Sequence, residues 1–219
     1  MSAADLDVRT FTVGAFRENC YIVRRRDGDE ALLIDPGDEA ERLIEAVDAV
    51  GARITATLIT HTHIDHIGAV AALARHTGAP VYCPALEREI LADIDGWMGP
   101  LGFTAGYESY DADELLAGGE HVELAGLSID VLFTPGHSVG HLTFALPEHD
   151  TLLVGDVLFR GSVGRVDIPG GDWPTLMSSI ARLLEGHPDE THVLPGHGPR
   201  TTLGAERATN PFLTELAAR

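Results

Sequence analysis

Three histidines and an aspartate fall within six positions, His61-Thr62-His63-Ile64-Asp65-His66, directly after the apolar run at 54–59. Imidazole nitrogens and a carboxylate at that density are the donor set of a metal site. In extended backbone His61 and His63, two residues apart, project to the same side. Asp65 and His66 follow where the chain turns, so they point elsewhere. That arrangement suits two adjacent cations better than one. Without metal, each of these groups at a strand end would need its own partner to offset the cost of burial.

Three more polar residues stand at strand ends beside glycine: His137 in Pro135-Gly136-His137, Asp156 in Val154-Gly155-Asp156, and His197 in Pro195-Gly196-His197-Gly198. Glycine next to a donor lets strand ends approach closely. Each of the three alone reads more readily as an ordinary turn residue than as a ligand. Together with the cluster at 61–66 they form a set.

Positioning that set requires strands that end at one place. Apolar patterns predict strands over 8–13, 20–24 and 31–34, then an amphipathic helix over 39–50 with Gly51 as its stop. A strand over 54–60 leads into a helix starting at about His66 and running over 67–76. A short strand at 81–83 and a short helix over 85–91 follow. The segment 92–119 reads as irregular; its Trp97, Phe103, Tyr107 and Tyr110 fit either a lid over the metals or anchors of the core. Strands resume over 121–124, 128–133, 142–146 and 151–154, followed by a helix over 173–184, a strand over 191–194 and a last helix from Ala205. Strands, helix, strand, helix occur twice with no linker between the halves. This predicts a single α/β domain over 1–219, two packed sheets with outer helices.

Composition excludes some partners. The 219 residues carry 34 acidic and 15 basic side chains, all of the latter arginine, for a net charge of −19. Two dications would leave the molecule strongly acidic, which argues against a nucleic-acid backbone or an anionic membrane as partner. The first residues lack a signal-peptide pattern and no apolar run reaches transmembrane length. Cys20 and Cys83 lie in strand-like contexts and read as buried thiols, as expected of a cytoplasmic protein.

The ligand-type residues, with Gly155-Asp156-Val157-Leu158-Phe159, Ser162-Val163-Gly164-Arg165-Val166-Asp167 and Thr202-Leu203-Gly204-Ala205-Glu206-Arg207, resemble the metallo-β-lactamase superfamily. Within it the chain is most similar to single-domain, type II glyoxalase-like (hydroxyacylglutathione hydrolase-like) enzymes. The similarity runs from Asn19-Cys20 and Asp35-Pro36-Gly37 to Asn210-Pro211-Phe212-Leu213. The resemblance implies a four-layer αβ/βα sandwich of two mixed sheets with the metals at one edge. It assigns His61, His63 and His137 to one divalent ion and Asp65, His66 and His197 to the other, with Asp156 and a water or hydroxide bridging them. Two dications about 3.5–4 Å apart need such anions between them. Zinc is the expected metal; iron and manganese suit the same donors. Asp35 resembles the aspartate that orients a ligand histidine from behind. His141 reads either as a supporting residue or as a solvated histidine at a strand start. His76, His121, His149, His187 and His192 read as surface or packing residues.

The resemblance implies hydrolysis of a small-molecule thioester, a 2-hydroxyacyl thioester such as S-lactoylglutathione, by a metal-bridging hydroxide. Asp65 would orient the water or manage its proton. Arg165 has two readings: a bidentate contact to a substrate carboxylate, or an internal pair with Asp167. The chain ends soon after Asn210-Pro211-Phe212, without the C-terminal helical domain with which two-domain glyoxalases grip glutathione, so the thiol stays open. The competing readings are a mononuclear-iron persulfide dioxygenase, a lactonase or β-lactamase, and a non-catalytic metal-binding protein.

Overall fold

Ala31, Leu32, Leu33 and Ile34 are all buried, and alternation along a strand explains how one run serves two cores. Leu32 and Ile34 face a cluster with Tyr21, Val23 and Leu58, while Ala31 and Leu33 face another with Leu43, Val47 and Leu73. A strand buried on both faces reads as continuous apolar sequence. The computed structural model describes residues 5–102 and 106–213.

The first half comprises β1 (Leu6–Val13), β2 (Glu18–Arg25), β3 (Glu30–Ile34), α1 (Ala40–Ala49), β4 (Arg53–Leu58), α2 (Ile64–Ile67), α3 (Val70–Thr77), β5 (Val81–Pro84), α4 (Arg88–Ala92), α5 (Ile94–Met98) and β6 (Glu114–Leu116). Its strands form a mixed sheet in sequential order, antiparallel from β1 to β3 and parallel from β3 to β6. The second half comprises β7 (His121–Leu124), β8 (Leu127–Phe133), β9 (Leu142–Leu146), β10 (Thr151–Gly155), the hairpin β11 (Leu158–Phe159) and β12 (Ser162–Val163), α6 (Trp173–Gly186), β13 (His192–Pro195), β14 (Thr201–Thr202) and α7 (Leu203–Thr209). Its sheet runs β14-β13-β10-β9-β8-β7.

The sheets pack face to face through Tyr21, Leu32, Ile34 and Leu58 on one side and Ile129, Val131, Phe144, Leu153 and Leu194 on the other. Helices α1 and α3 cover the outer face of the first sheet. On the second, Leu176, Ile180, Leu183 and Leu184 of α6 pack on Leu152, Val154 and Val193. The expected four-layer αβ/βα sandwich is what the chain forms. Cys20 and Cys83 are both free and buried. No helix among the described residues is long and apolar enough to cross a membrane.

Topology brings the expected donors to one edge. β8 and β10 are each antiparallel to β9 and therefore run the same way, and β13 is parallel to β10. Their carboxyl ends, and those of the parallel pair β3 and β4, carry the turns at 35–37, 59–63, 134–137, 156 and 196–198. Carboxyl ends of strands are where α/β sheets place ligands.

Besides the short strands β11, β12 and β14, which the sequence reading did not expect, three regions differ from expectation. The helix after the histidine cluster begins at Ile64, not His66, and breaks after one turn before α3. The break has a tertiary cause: the Ala69 amide leaves the helical ladder and donates to Pro36 O at 3.0 Å. The segment 92–119 is not wholly irregular. It contains α5, whose first turn is capped by the Asp93 side chain accepting from Gly96 N, and β6, which extends the first sheet by pairing with β5. Finally α7 starts at Leu203, two residues before the expected Ala205, because the Thr202 side chain accepts from Ala205 N.

Candidate metal centre

His61 and His63 lie in the turn after β4, and Asp65 and His66 on the single turn of α2. Those positions send the first two and the last two donors in different directions, as chain geometry requires. His137, Asp156 and His197 stand just beyond β8, β10 and β13. All seven side chains meet. Donor atoms of His61, His63 and His137 lie within 4.8 Å of one another, as do those of Asp65, His66 and His197. Asp156 lies between the groups: Oδ1 is 3.4 Å from His66 Nε2, and Oδ2 is 3.5 Å from His137 Nε2 and 3.4 Å from His197 Nε2. The His197 turn can press this close because Gly196 has no side chain; a Cβ there would stand 2.2 Å from Asp156 Oδ1.

Neighbouring contacts decide which ring nitrogens face inward. His137 Nδ1 is 2.8 Å from the Arg165 carbonyl. A carbonyl only accepts, so Nδ1 carries the hydrogen and Nε2 presents a lone pair. Asp35 Oδ2 accepts from His66 Nδ1 at 3.0 Å, with the same result. Asp35 also accepts from the Thr60 amide and hydroxyl, each at 2.7 Å. The Thr60 oxygen then accepts from His61 Nδ1 at 3.0 Å. One carboxylate thus orients His66 directly and His61 through Thr60. The buried His61 Nε2, His66 Nε2 and Asp156 Oδ1 are left without a hydrogen-bond partner. His63 Nδ1 and His137 Nε2 approach to 2.8 Å, which requires a proton or a cation between them. Buried nitrogen and carboxylate oxygen atoms left without partners in one cluster fit divalent cations well.

The electrostatics point the same way. Burial holds the His61 imidazole well below its ordinary range, and burial with His137 brings His63 down to about 3. Both are neutral donors. Burial works to raise the Asp156 carboxyl, but His66 and the hydrogen bond from His197 outweigh it and hold it well below the usual carboxylate range. Against burial, Asp156 and Asp35 raise His66, and Asp156 and Asp65 raise His197 to about 9. Without cations, protons on His66 and His197 neutralise the carboxylates; dications would take over that role and release them.

His141 is fully buried, and its Nε2 accepts from the Asp156 amide at 3.1 Å while Nδ1 faces the Thr134 hydroxyl at 3.0 Å. It supports the Asp156 backbone and is not solvated. Arg165 adopts the second of its two sequence readings. Its exposed guanidinium pairs with Asp167 at 2.7 and 2.9 Å, and its carbonyl is what bonds to the donor cluster. Tyr107 and Tyr110 pack partly buried against the cluster around Ile67 and Leu91, whereas Trp97 is half exposed. Phe103 lies outside the described residues. Among the remaining histidines, His76 pairs with Asp48 and His121 with Asp130 on the surface, and His149 is buried.

Two carboxylates escaped the sequence reading. Glu18 is fully buried with both oxygens unpartnered, 3.9 Å from His66 Nδ1, and burial pushes its carboxyl well above the usual range. Its one signal is a charged residue opening an apolar strand. Glu87 accepts hydrogen bonds from the His61–His63 turn and from the turn after His137, and nothing in its local spacing marks it.

Residues 13–197 match the family model described as the metallo-beta-lactamase superfamily. The chain belongs to the metallo-β-lactamase superfamily. It is 34% identical to the hydroxyacylglutathione hydrolase GloC of Haemophilus influenzae, over 95% of this chain and 98% of that protein. Its fold is similar to the BLEG-1 B3 metallo-β-lactamase, with TM-score 0.88 and 37% identity over 95% of this chain and all of the other. It is similar as well to TTHA1623 in a di-iron-bound form, with TM-score 0.82 and 43% identity over 94% of this chain and all of the other. The superfamily supports an enzyme of metallo-hydrolase type, and its fold implies divalent metal ions.

Asp35→Asn tests the shared orienting carboxylate. Asn tolerates the left-handed backbone of position 35, at φ 47°, but brings an amide where two hydroxyl or imidazole donors converge. We expect metal affinity to fall about 10–100-fold, read by competition with a chromophoric chelator. Unchanged affinity would remove Asp35 from the centre.

Proposed function

We propose that this protein is a metal-dependent thioester hydrolase acting on 2-hydroxyacyl thioesters of the S-lactoylglutathione kind. His61, His63 and His137 would hold one divalent ion, Asp65, His66 and His197 a second, with Asp156 shared. The observation that carries the reading is the convergence of His61, His66 and Asp156, whose buried Nε2, Nε2 and Oδ1 atoms face one another without a hydrogen-bond partner. Zinc is the expected metal, and the di-iron-bound relative makes iron the first alternative. When bound, such a pair supplies Lewis acidity to a carbonyl oxygen and lowers the pKa of water enough to make it a nucleophile at neutral pH.

The rest falls to the chain's own groups. Asp65 Oδ2, 3.2 Å from His197 Nε2 on the more open side, would orient the attacking water or manage its proton. Asp35 and the Arg165 carbonyl keep the imidazoles in the ligating tautomer. A thiolate leaves without needing a proton, which makes a thioester a suitable substrate. The likeness to GloC supports the 2-hydroxyacyl thioester, and the acidic surface speaks against nucleic acid and anionic membranes as partners. A second reading, opening of a β-lactam ring, is favoured by the likeness to BLEG-1.

Elemental analysis of the purified protein, with thioester, β-lactam, lactone and persulfide assays side by side, separates these readings. Two metals per chain and preferential thioester cleavage are expected. Oxygen uptake on a persulfide with a single iron would overturn the proposal in favour of a dioxygenase. For substrate contact, Arg165 must exchange Asp167 for a substrate carboxylate. Because the pair is exposed, Arg165→Ala should raise KM for carboxylate-bearing thioesters only roughly two- to fivefold, and leave neutral thioesters unchanged. Equal effects on both would dismiss that role.

A further inference from the structure

Glu87 lies in the 3₁₀ turn Ala85–Glu87, directly after β5, and is 1% exposed. A carboxylate so buried needs donors, and it has four. Oε2 accepts from the Thr62 amide at 2.7 Å and the Thr62 hydroxyl at 2.9 Å. Oε1 accepts from the Ser138 hydroxyl at 2.5 Å and the Gly140 amide at 2.7 Å. Thr62 stands between His61 and His63, and Ser138 follows His137. Each oxygen therefore grips one donor-bearing turn, the first from one sheet of the sandwich and the second from the other. The fit is close: a Cβ on Gly140 would stand 2.8 Å from Glu87 Cγ.

The other half of the centre has separate supports. Asp35 orients His66. The Asn19 amide side chain donates to the carbonyls of Pro195 and Gly198 at 3.1 and 2.8 Å, on either side of His197. Glu87 touches neither turn in these contacts.

We propose that Glu87 is a positioning residue that sets the span between the His61–His63 turn and the His137 turn. Through that span it sets the affinity of the three-histidine half of the centre, apart from the half built by Asp65, His66 and His197. A carboxylate is required because every group facing it is a donor. An amide in its place turns an NH₂ toward two of those donors, and one turn must then move away. The inference rests on the metal-binding reading above.

The test is titration of metal-free protein with Co²⁺, followed by visible absorption and by the hyperfine-shifted imidazole N–H protons in NMR. The His137 Nδ1 proton reports the three-histidine half and the His66 Nδ1 proton the other. Wild type should fill both halves. In Glu87→Gln the three-histidine half should weaken about 10–100-fold, the loss typical of an outer partner of a ligand, with the His66 signal titrating as in wild type. Thr62→Val and Ser138→Ala each remove one side-chain bond and leave the carboxylate in place. They should shift the same half in the same direction by smaller factors, and they carry the test if Glu87→Gln does not fold. Equal weakening of both halves, or of neither, overturns the role of Glu87. Wild type that takes up no cobalt overturns the metal reading itself, so the two failures are distinct.

Discussion

Asp156→Ala is expected to leave at most one tightly held metal ion per chain and to bring hydrolysis down to background. The carboxylate faces His66 with one oxygen and His137 and His197 with the other, so it belongs to both halves of the centre. Removing it takes away an anion from between two sites for positive charge, and adjacent dications repel strongly without one. The loss should exceed the about 10–100-fold seen when only an outer partner of a ligand is removed. The metal-free fold should survive. The backbone at 156 stays anchored by its amide to His141 Nε2 and by its neighbour Val157, whose carbonyl accepts from Gly164 N. Metal content by elemental analysis and thioester turnover after reconstitution check this. Two retained metals with normal turnover would remove Asp156 from the centre.

Gly37→Ala should act on the fold first and the centre second. A Cβ at position 37 would stand 1.6 Å from the Asp65 carbonyl oxygen, 2.6 Å from its carbon and 2.8 Å from Glu18 Oε2. The nearest atoms are backbone, which cannot swing aside as a side-chain tip can. Either α2 or the turn after β3 must move, and both position donors. Overpacking costs about 1–3 kcal/mol in ordinary cores, and this contact belongs at the top of that range or above. In a chain of this size each kcal/mol lowers Tm by about 2–4 °C, so a fall of roughly 6–12 °C is expected. Metal affinity should fall with it, because Asp65 travels with its carbonyl. An unchanged Tm would mean the two turns do not meet as described.

Much of the fold was legible because its signals are local. Alternation in 31–34 and the amphipathic face of α1 follow from the periods of strand and helix, which any window of sequence displays. The donors were legible for a related reason: they sit at strand ends, beside glycines or in one dense cluster, and few other roles require such residues there. Boundaries were less readable. α2 ends where Ala69 N turns to Pro36 O, a contact made by a distant part of the chain, and β6 is a strand only because β5 offers it an edge.

The amino-acid sequence by itself determined the inventory: two sheets, outer helices, an acidic surface, and seven donors of types that bind borderline transition metals. Tertiary structure alone decided how those donors are used. The ligating tautomers of His61 and His66 depend on Asp35, reached across 26 and 31 positions. Asp167 occupies the Arg165 guanidinium, leaving its carbonyl to hold His137. Glu87 joins two turns 76 residues apart, from Thr62 to Ser138. Period and spacing are properties of neighbouring residues, so sequence records them. A hydrogen bond between distant turns depends on sheet order and packing, which come into being only when the whole chain closes.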